Sequence, residues 1–327
     1  MDRAKSGKQK VPIGAFMEGL VDYAGLFPPA SLSVVKAVSE YAQHRNEPEA
    51  WMLGRFIAPA ARLTEIATAV APLLEPATNW AFSVLVGARD SGGAALAAVP
   101  VQAAQIRGFE AGNPGQVVVE CLEGPVPVAA EMPVAEFVPV FLAELCDAGL
   151  GKRDLFLEVL SGSDDGEVLQ SIKSAATAFT GGPTGFVRVG AKLRCGGVVP
   201  EAFPSCERIA KVIQCCAELD LPLKCTAGLH HPVRHRTTFP DVMMHGFLNV
   251  FGAGLLAWSR EIDPALLVEC VAETDPAAFV FNQETFAWRD HSVDIETMTR
   301  IRRRSLFGFG SCSFAEPRAD LQALGML

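Results

Sequence analysis

The sequence predicts a (β/α)8 TIM barrel formed by one domain, with a helical extension at its N-terminus. Three observations lead there. After the first fifty residues, short runs of β-branched and aromatic residues alternate with amphipathic helical stretches, a pattern that builds a parallel sheet covered by helices. Eight such runs occur, the number that closes a barrel. No Gly-x-Gly-x-x-Gly turn follows the first strand, which argues against an open dinucleotide-binding sheet. The 327 residues suffice for one barrel with insertions, and a 50% hydrophobic share against 20% charged supplies its core.

Residues 1–12 are basic and polar and are expected to form a flexible tail, with 13–327 as the single barrel domain. Two helices are expected first, "GAFMEGLVDYAGL" and "SLSVVKAVSEYAQHR", the second capped by Ser31 or Ser33. On this reading Asp22 and Tyr23 lie on a helix that covers one end of the barrel. The first six strands are then "LGRFIAPA", "WAFSVLVG", "QVVVECLE", "LFLEVLS", "GFVRVGAKLR" and "PLKCTAG". "AAFVFN" is the candidate seventh strand, although "FVFNQETFAWRDHSV" fits a β-hairpin equally well. "SLFGFGSCSF" is the eighth, and "ADLQALGML" closes the chain.

A net charge of −9 argues against nucleic acid or an anionic membrane as partner. No apolar run reaches the roughly 18 residues of a membrane span. Nine scattered cysteines without a Cys-x-x-Cys pair fit reduced core thiols in a cytoplasmic protein and speak against a cysteine-held zinc. The basic run Arg300, Arg302, Arg303 and Arg304 fits a solvated helix face. The apolar helices "VIQCCAEL" and "FGAGLLAW" suit a homo-oligomer interface as well as a core.

Alternation along the strands places Arg188, Gly190, Lys192 and Arg194 of one strand, and Lys224 and Thr226 of the next, toward the barrel axis. Arg55, Glu120 and Glu158 join them. Charges this deep must be paired or bind something. They either fill the barrel as an ion-pair network or, near the strand C-termini, line a pocket. In the second case Glu158, Lys192, Arg194 and Lys224 would face a small anionic substrate. Lys192 and Arg194 would lower the proton affinity of Lys224, whose neutral amine could then attack a carbonyl.

A lysine on the sixth strand in "PLKCTAG", with a second in "AKLRCGG", resembles class I aldolase-type (β/α)8 barrels, several of which carry their Schiff-base lysine on the sixth strand. The likeness covers roughly a third of the chain and is one of position. It implies a lyase acting on a carbonyl compound through Lys224 without a cofactor, with Glu158, Glu120 or a histidine moving protons.

Four of the six histidines, His230, His231, His235 and His245, fall in one loop after that strand. His230 and His231 follow the strand end directly, where barrel enzymes place catalytic groups. A rival reading is a metal-dependent hydrolase or isomerase, in which His230, His231, His245 and Glu158 supply ligands for a divalent ion. Asn249, one helical turn after His245, would face the pocket with it. In "GFGSCSF", Ser311 and Ser313 would hold the anionic end of a substrate, unless the glycines merely make room. Cys312 fits a buried thiol better than a nucleophile. A third reading is a non-catalytic ligand-binding barrel, with all interior charges paired and no open pocket.

Overall fold

The computed structural model describes residues 12–75, 79–127, 132–238, 241–260 and 262–327. The expected tail lies outside these residues except for Pro12, which opens helix α1 (Pro12–Met17). Eight parallel strands close into a barrel: β1 (Val21–Tyr23), β2 (Leu53–Pro59), β3 (Trp80–Leu85), β4 (Val117–Val126), β5 (Asp154–Val159), β6 (Arg188–Arg194), β7 (Leu223–Thr226) and β13 (Leu306–Ser311). The barrel helices between them are α2 (Val34–His44), α3 (Leu63–Val70), α4 (Gly92–Gly112), α5 (Val134–Asp147), α6 (Asp165–Phe179) and α7 (Cys206–Glu218). Their starts follow from capping. Ser33, Ser91 and Ser205 each accept the backbone N–H three residues on, and Asp164 accepts those of Gly166 and Glu167.

Two elements depart from expectation. The first barrel strand is Val21–Tyr23, inside the stretch expected to be helical. Gly19, at φ +58°, ends α1 after six residues, a backbone conformation that favours glycine. Val21 and Tyr23 then face the helices while Asp22 faces the axis. The N-terminal extension is therefore α1 alone, and α2 is the first barrel helix. The candidate seventh strand is not in the barrel. Phe279–Phe281 (β10) pairs antiparallel with Thr285–Trp288 (β11), which pairs with His291–Asp294 (β12). This small sheet packs Phe281 and Phe286 on Phe16 of α1, with ring centroids 5.4 and 5.2 Å apart. The hairpin was the correct half of the expectation.

Between β7 and that sheet lie a hairpin, β8 (His235–Thr238) with β9 (Asp241–Met244), and the helices α8 (Phe247–Ser259) and α9 (Pro264–Ala272). Helix α10 (Ile295–Arg304) leads into β13, and α11 (Ala315–Ala323) ends the described fold. The buried part of α8 runs from Phe247 to Leu256 on every face, so that helix is core. Arg302 of the basic run is not solvated: its Nε donates to the Phe16 carbonyl at 2.9 Å. Among the described residues no helix is long and apolar enough to cross a membrane.

Within the barrel the side chains form layers. At the strand N-termini, Arg55 meets Glu120 at 3.0 Å and Asp154 at 3.7 Å, and Arg188 meets Asp154 at 3.2 Å. Above them Cys121, Phe156 and Phe307 form an apolar plug. Gly190 is needed here, because a Cβ would lie 2.7 Å from the Phe156 ring and 2.4 Å from the Pro222 carbonyl. Charged residues return above the plug.

Gly54 marks the closest approach of β2 to β1. A Cβ there would sit 2.2 Å from Asp22 Oδ1 and 3.1 Å from the Gly19 carbonyl. Gly54→Ala should lower unfolding free energy by about 3 kcal/mol, as overpacking of a tight interior does. Urea denaturation checks this, and an unchanged midpoint would mean that β1 adjusts freely.

Candidate active site

The strand C-termini open onto a cavity of about 650 Å³, as expected for a barrel site. Its walls include Lys192, Arg194, Thr226, His230, His231 and Ser313 of the predicted set. Lys224, Glu158, Asn249, His245 and Ser311 are not among its lining residues. Arg89, Glu123, Cys312 and Glu316, none of them expected, are.

The cavity floor rests on a chain of buried charges. Lys224 is paired with Asp22 of β1 and lies 3.3 Å from Glu123. Lys192 lies 2.6 Å from Glu123 and 3.0 Å from Glu158. Glu158 also takes Arg89 at 2.6 Å and Arg194 at 3.2 Å. The second oxygen of Asp22 accepts the Arg55 backbone N–H, and Ser83 donates to Glu123, both at 2.6 Å. Four cations (Arg89, Lys192, Arg194, Lys224) thus face three carboxylates (Asp22, Glu123, Glu158). The surplus positive charge sits where Arg89 and Arg194 reach solvent.

The network corrects two expectations. Lys224 occupies the seventh barrel strand, and Lys192 is the lysine of the sixth. Nor is the proton affinity of Lys224 depressed. Burial opposes its charge, but Asp22 and then Glu123 outweigh that and hold its ammonium above the ordinary range. Lys192 is likewise raised, because Glu123 and Glu158 outweigh burial. Burial pushes both Glu123 and Glu158 up, yet the surrounding cations, Lys192 foremost, hold each well below the usual carboxylate range.

Glu120 belongs to the half-exposed layer at the strand N-termini, paired with Arg55, and Glu123 is the carboxylate at the cavity. The β3–β4 pairing slips between Phe82–Val119 and Ser83–Cys121, so Glu120 is the extra residue of a bulge. Past the bulge the inward face passes to Cys121 and Glu123.

The histidines separate. His230 Nδ1 meets Glu316 Oε2 at 2.9 Å, and its Nε2 lies 3.8 Å from Cys312 Sγ. His231 Nδ1 meets Asp320 Oδ2 at 2.6 Å. His235 packs edge-on to His231. His245 turns away and donates from Nε2 to the Pro204 carbonyl at 2.7 Å. The alternative ligand set of His230, His231, His245 and Glu158 is therefore dispersed, and among the described residues no group of three or more His, Cys, Asp or Glu is arranged to hold a metal. Asn249 is structural: it accepts the Arg234 N–H at 2.8 Å and donates to the carbonyls of Cys270 and Glu273 at 2.9 and 2.8 Å. It ties the histidine loop to the end of α9.

In the last strand, glycines make room. A Cβ on Gly310 would lie 2.8 Å from Ile57 and 3.0 Å from Thr226 Oγ1, and one on Gly308 would lie 2.6 Å from the Leu20 carbonyl. The Ser311 hydroxyl is spent on the Ser313 carbonyl at 2.7 Å. Ser313 remains at the cavity wall. The non-catalytic reading is half met: the interior charges pair, but the mouth is open.

No family model and no curated protein matches the chain. One similar solved structure is a deoxyribose phosphate aldolase from Aeropyrum pernix, described as having a unique tetrameric structure. It is 11% identical over 67% of this chain and 80% of that one, with a TM-score of 0.41. So loose a likeness carries no argument, and the closed barrel stands on its own strand order.

Removing one member of the buried chain leaves an uncompensated charge. Lys224→Met should cost about 3–5 kcal/mol in urea denaturation, and a loss under ~1 kcal/mol would mean that the network relaxes around the gap. A pH profile of the melting temperature reads the same groups. Glu123 and Glu158 are depressed, so their contribution is complete above their ordinary 4.5 and is lost as pH falls below it. His230 is raised to about 9, so its contribution is complete below 6.5 and is lost as pH rises through about 9. The melting temperature should peak between roughly pH 5 and 6.5, and His230→Gln should flatten the alkaline limb.

Proposed function

We propose that the protein is a lyase of the aldolase type, acting on a small anionic carbonyl compound, with Lys192 as the amine that meets the carbonyl. The observation that carries this reading is the position of Lys192: a buried lysine at the cavity wall, between two carboxylates, with a second lysine held across Glu123. Lys224, the residue first singled out, has the same chemistry but lies beneath the cavity, where it serves as a fixed positive charge. A lysine on the sixth strand is also what the resemblance to class I aldolase-type barrels calls for.

The resting ammonium of Lys192 must lose its proton before it can attack. Glu158 is the acceptor that substrate binding would prepare. Its low proton affinity depends on Lys192, Arg89 and Arg194. Arg89 and Arg194 are both partly exposed at the cavity. A substrate carboxylate or phosphate that draws these guanidiniums toward itself weakens their hold on Glu158. The carboxylate can then take the Lys192 proton, and the free amine attacks the carbonyl carbon. Loss of water gives an imine, which withdraws electrons from the neighbouring carbon–carbon bond. His230 and His231, also on the wall, and Glu158 are the groups available to move protons through cleavage. Ser313 and Thr226 add hydroxyl contacts. This chemistry needs no metal or organic cofactor. The nine free cysteines support a reducing, cytoplasmic setting.

Borohydride trapping tests the proposal. Incubation with pyruvate, or with a panel of small sugar phosphates, followed by reduction should add the mass of the reduced adduct to the peptide carrying Lys192. The yield should rise steeply between about pH 7 and 9, because the small free-amine fraction of Lys192 grows as the pH nears its raised range. Lys192→Met should abolish it. An adduct on Lys224 instead, or none with any of these compounds, would sink the assignment.

A further inference from the structure

Cys312, at the end of β13, lines the same cavity, with its thiol 9% exposed as a residue. His230 comes from the β7 side, with Cys312 Sγ beside its ring, 3.8 Å from Nε2 and 4.0 Å from Nδ1. Glu316, in the first turn of α11, holds Nδ1 at 2.9 Å. Three elements thus deliver a nucleophile, a base and a carboxylate that orients the base, the order in which nucleophilic triads are built. A sulfur–nitrogen separation near 4 Å is loose, as such contacts often are before substrate arrives.

We propose that Cys312, His230 and Glu316 form a second covalent site in the cavity, a cysteine–histidine pair that captures small aldehydes reversibly. The Cys312 sulfur adds to the aldehyde carbon, and its S–H proton replaces the one that His230 gives up. A carbon–sulfur bond forms, the π pair of the carbonyl moves to its oxygen, and that oxygen takes the proton from His230 Nε2. The product is a hemithioacetal, and the reverse steps release the aldehyde, so no oxidant or co-reactant is consumed. The aldehyde class rests on the lyase reading, because cleavage of a carbon–carbon bond beside an imine leaves a carbonyl fragment. The triad itself does not rest on that reading.

The electrostatic surroundings suit the pair. Burial pulls His230 down, but its hydrogen bonds to Cys312 and Glu316 raise it to about 9, so the ring carries its proton at neutral pH. The other titratable groups nearby are already engaged. Tyr23 donates its phenol to Glu40 at 2.8 Å, and burial with that bond holds it protonated well above the usual range. His231 is paired with Asp320, and His235 packs edge-on to His231 and is lowered by burial. Cys121, Cys146, Cys206, Cys215, Cys216, Cys225 and Cys270 are raised, with burial as the first or second cause, which makes them poor nucleophiles.

The test is iodoacetamide alkylation of the whole protein across about pH 6 to 9, read cysteine by cysteine by peptide mass spectrometry. Cys312 should react at pH 6 roughly 10-fold faster than the other cysteines. His230→Gln should slow it about 10-fold at pH 6 and restore an ordinary thiol's rise near pH 8.5. Glu316→Gln, at a half-exposed site, should slow it less and keeps the test open if the histidine variant misfolds. A Cys312 rate that climbs like an ordinary thiol's and is unchanged in both variants overturns the triad. Carbon-13 NMR with [1-13C]acetaldehyde then reads the ligand: a hemithioacetal signal lost in Cys312→Ser supports capture, and its absence overturns it. Alkylation needs neither substrate nor Lys192, so it stands or falls apart from borohydride trapping.

Discussion

The structure depends on one chain of alternating charges, Asp22–Lys224–Glu123–Lys192–Glu158, threaded through the barrel above its apolar plug. Charges in such a place are costly to desolvate, and the cost is offset only when each has a partner. Each link comes from a different strand, β1, β7, β4, β6 and β5 in turn, so the chain also fixes strand register. A slip of one residue on any of these strands would turn its charge toward the helices. Gly54, Gly190 and Gly310 keep the neighbouring backbones close enough for those side chains to meet.

The same chain sets the chemical character of the cavity. Carboxylates hold both lysines protonated, and the lysines and arginines hold the carboxylates ionised. Neither type is reactive at rest. Reactivity must come from a ligand that rearranges the pairing, and Arg89 and Arg194 are the members that reach solvent. The opposite arrangement holds at the Cys312 side, where His230 and Glu316 set the thiol's surroundings without help from a ligand.

Much of this was legible in the sequence. The six strands from Leu53 to Thr226 and the last one showed themselves through period-two alternation, and that alternation pointed Lys192, Glu158, Lys224 and Thr226 inward. Three residues of β1 are too few to register against the helical pattern around them, so Asp22 was missed, although a lone carboxylate in "GLVDYAG" was a signal of sorts. The count of eight survived because a segment of the outer sheet stood in for β1. Glu123 was missed because a bulge reverses the alternation after Val119, and bulges leave little trace in composition. His245 and Asn249 looked like site residues because they are polar in an apolar stretch. Their partners are backbone groups distant in sequence, the Pro204, Cys270 and Glu273 carbonyls and the Arg234 N–H, which no local pattern announces.

The pairing of β1 with β13 has a consequence for how the molecule is made. The first barrel strand to leave the ribosome finds one of its two neighbours, β2, early, but waits for the other until Leu306–Ser311 has emerged. Its Asp22 must wait for Lys224 over a separation of 202 residues. Until β13 docks, the nascent sheet carries an open edge and a lysine without its nearest counter-ion, both of which disfavour premature compaction. Contacts so distant in sequence are slow to form. Barrel closure and the Asp22–Lys224 pair therefore both depend on β13, which lies between β1 and β7, so the cavity is assembled only once that strand is in place.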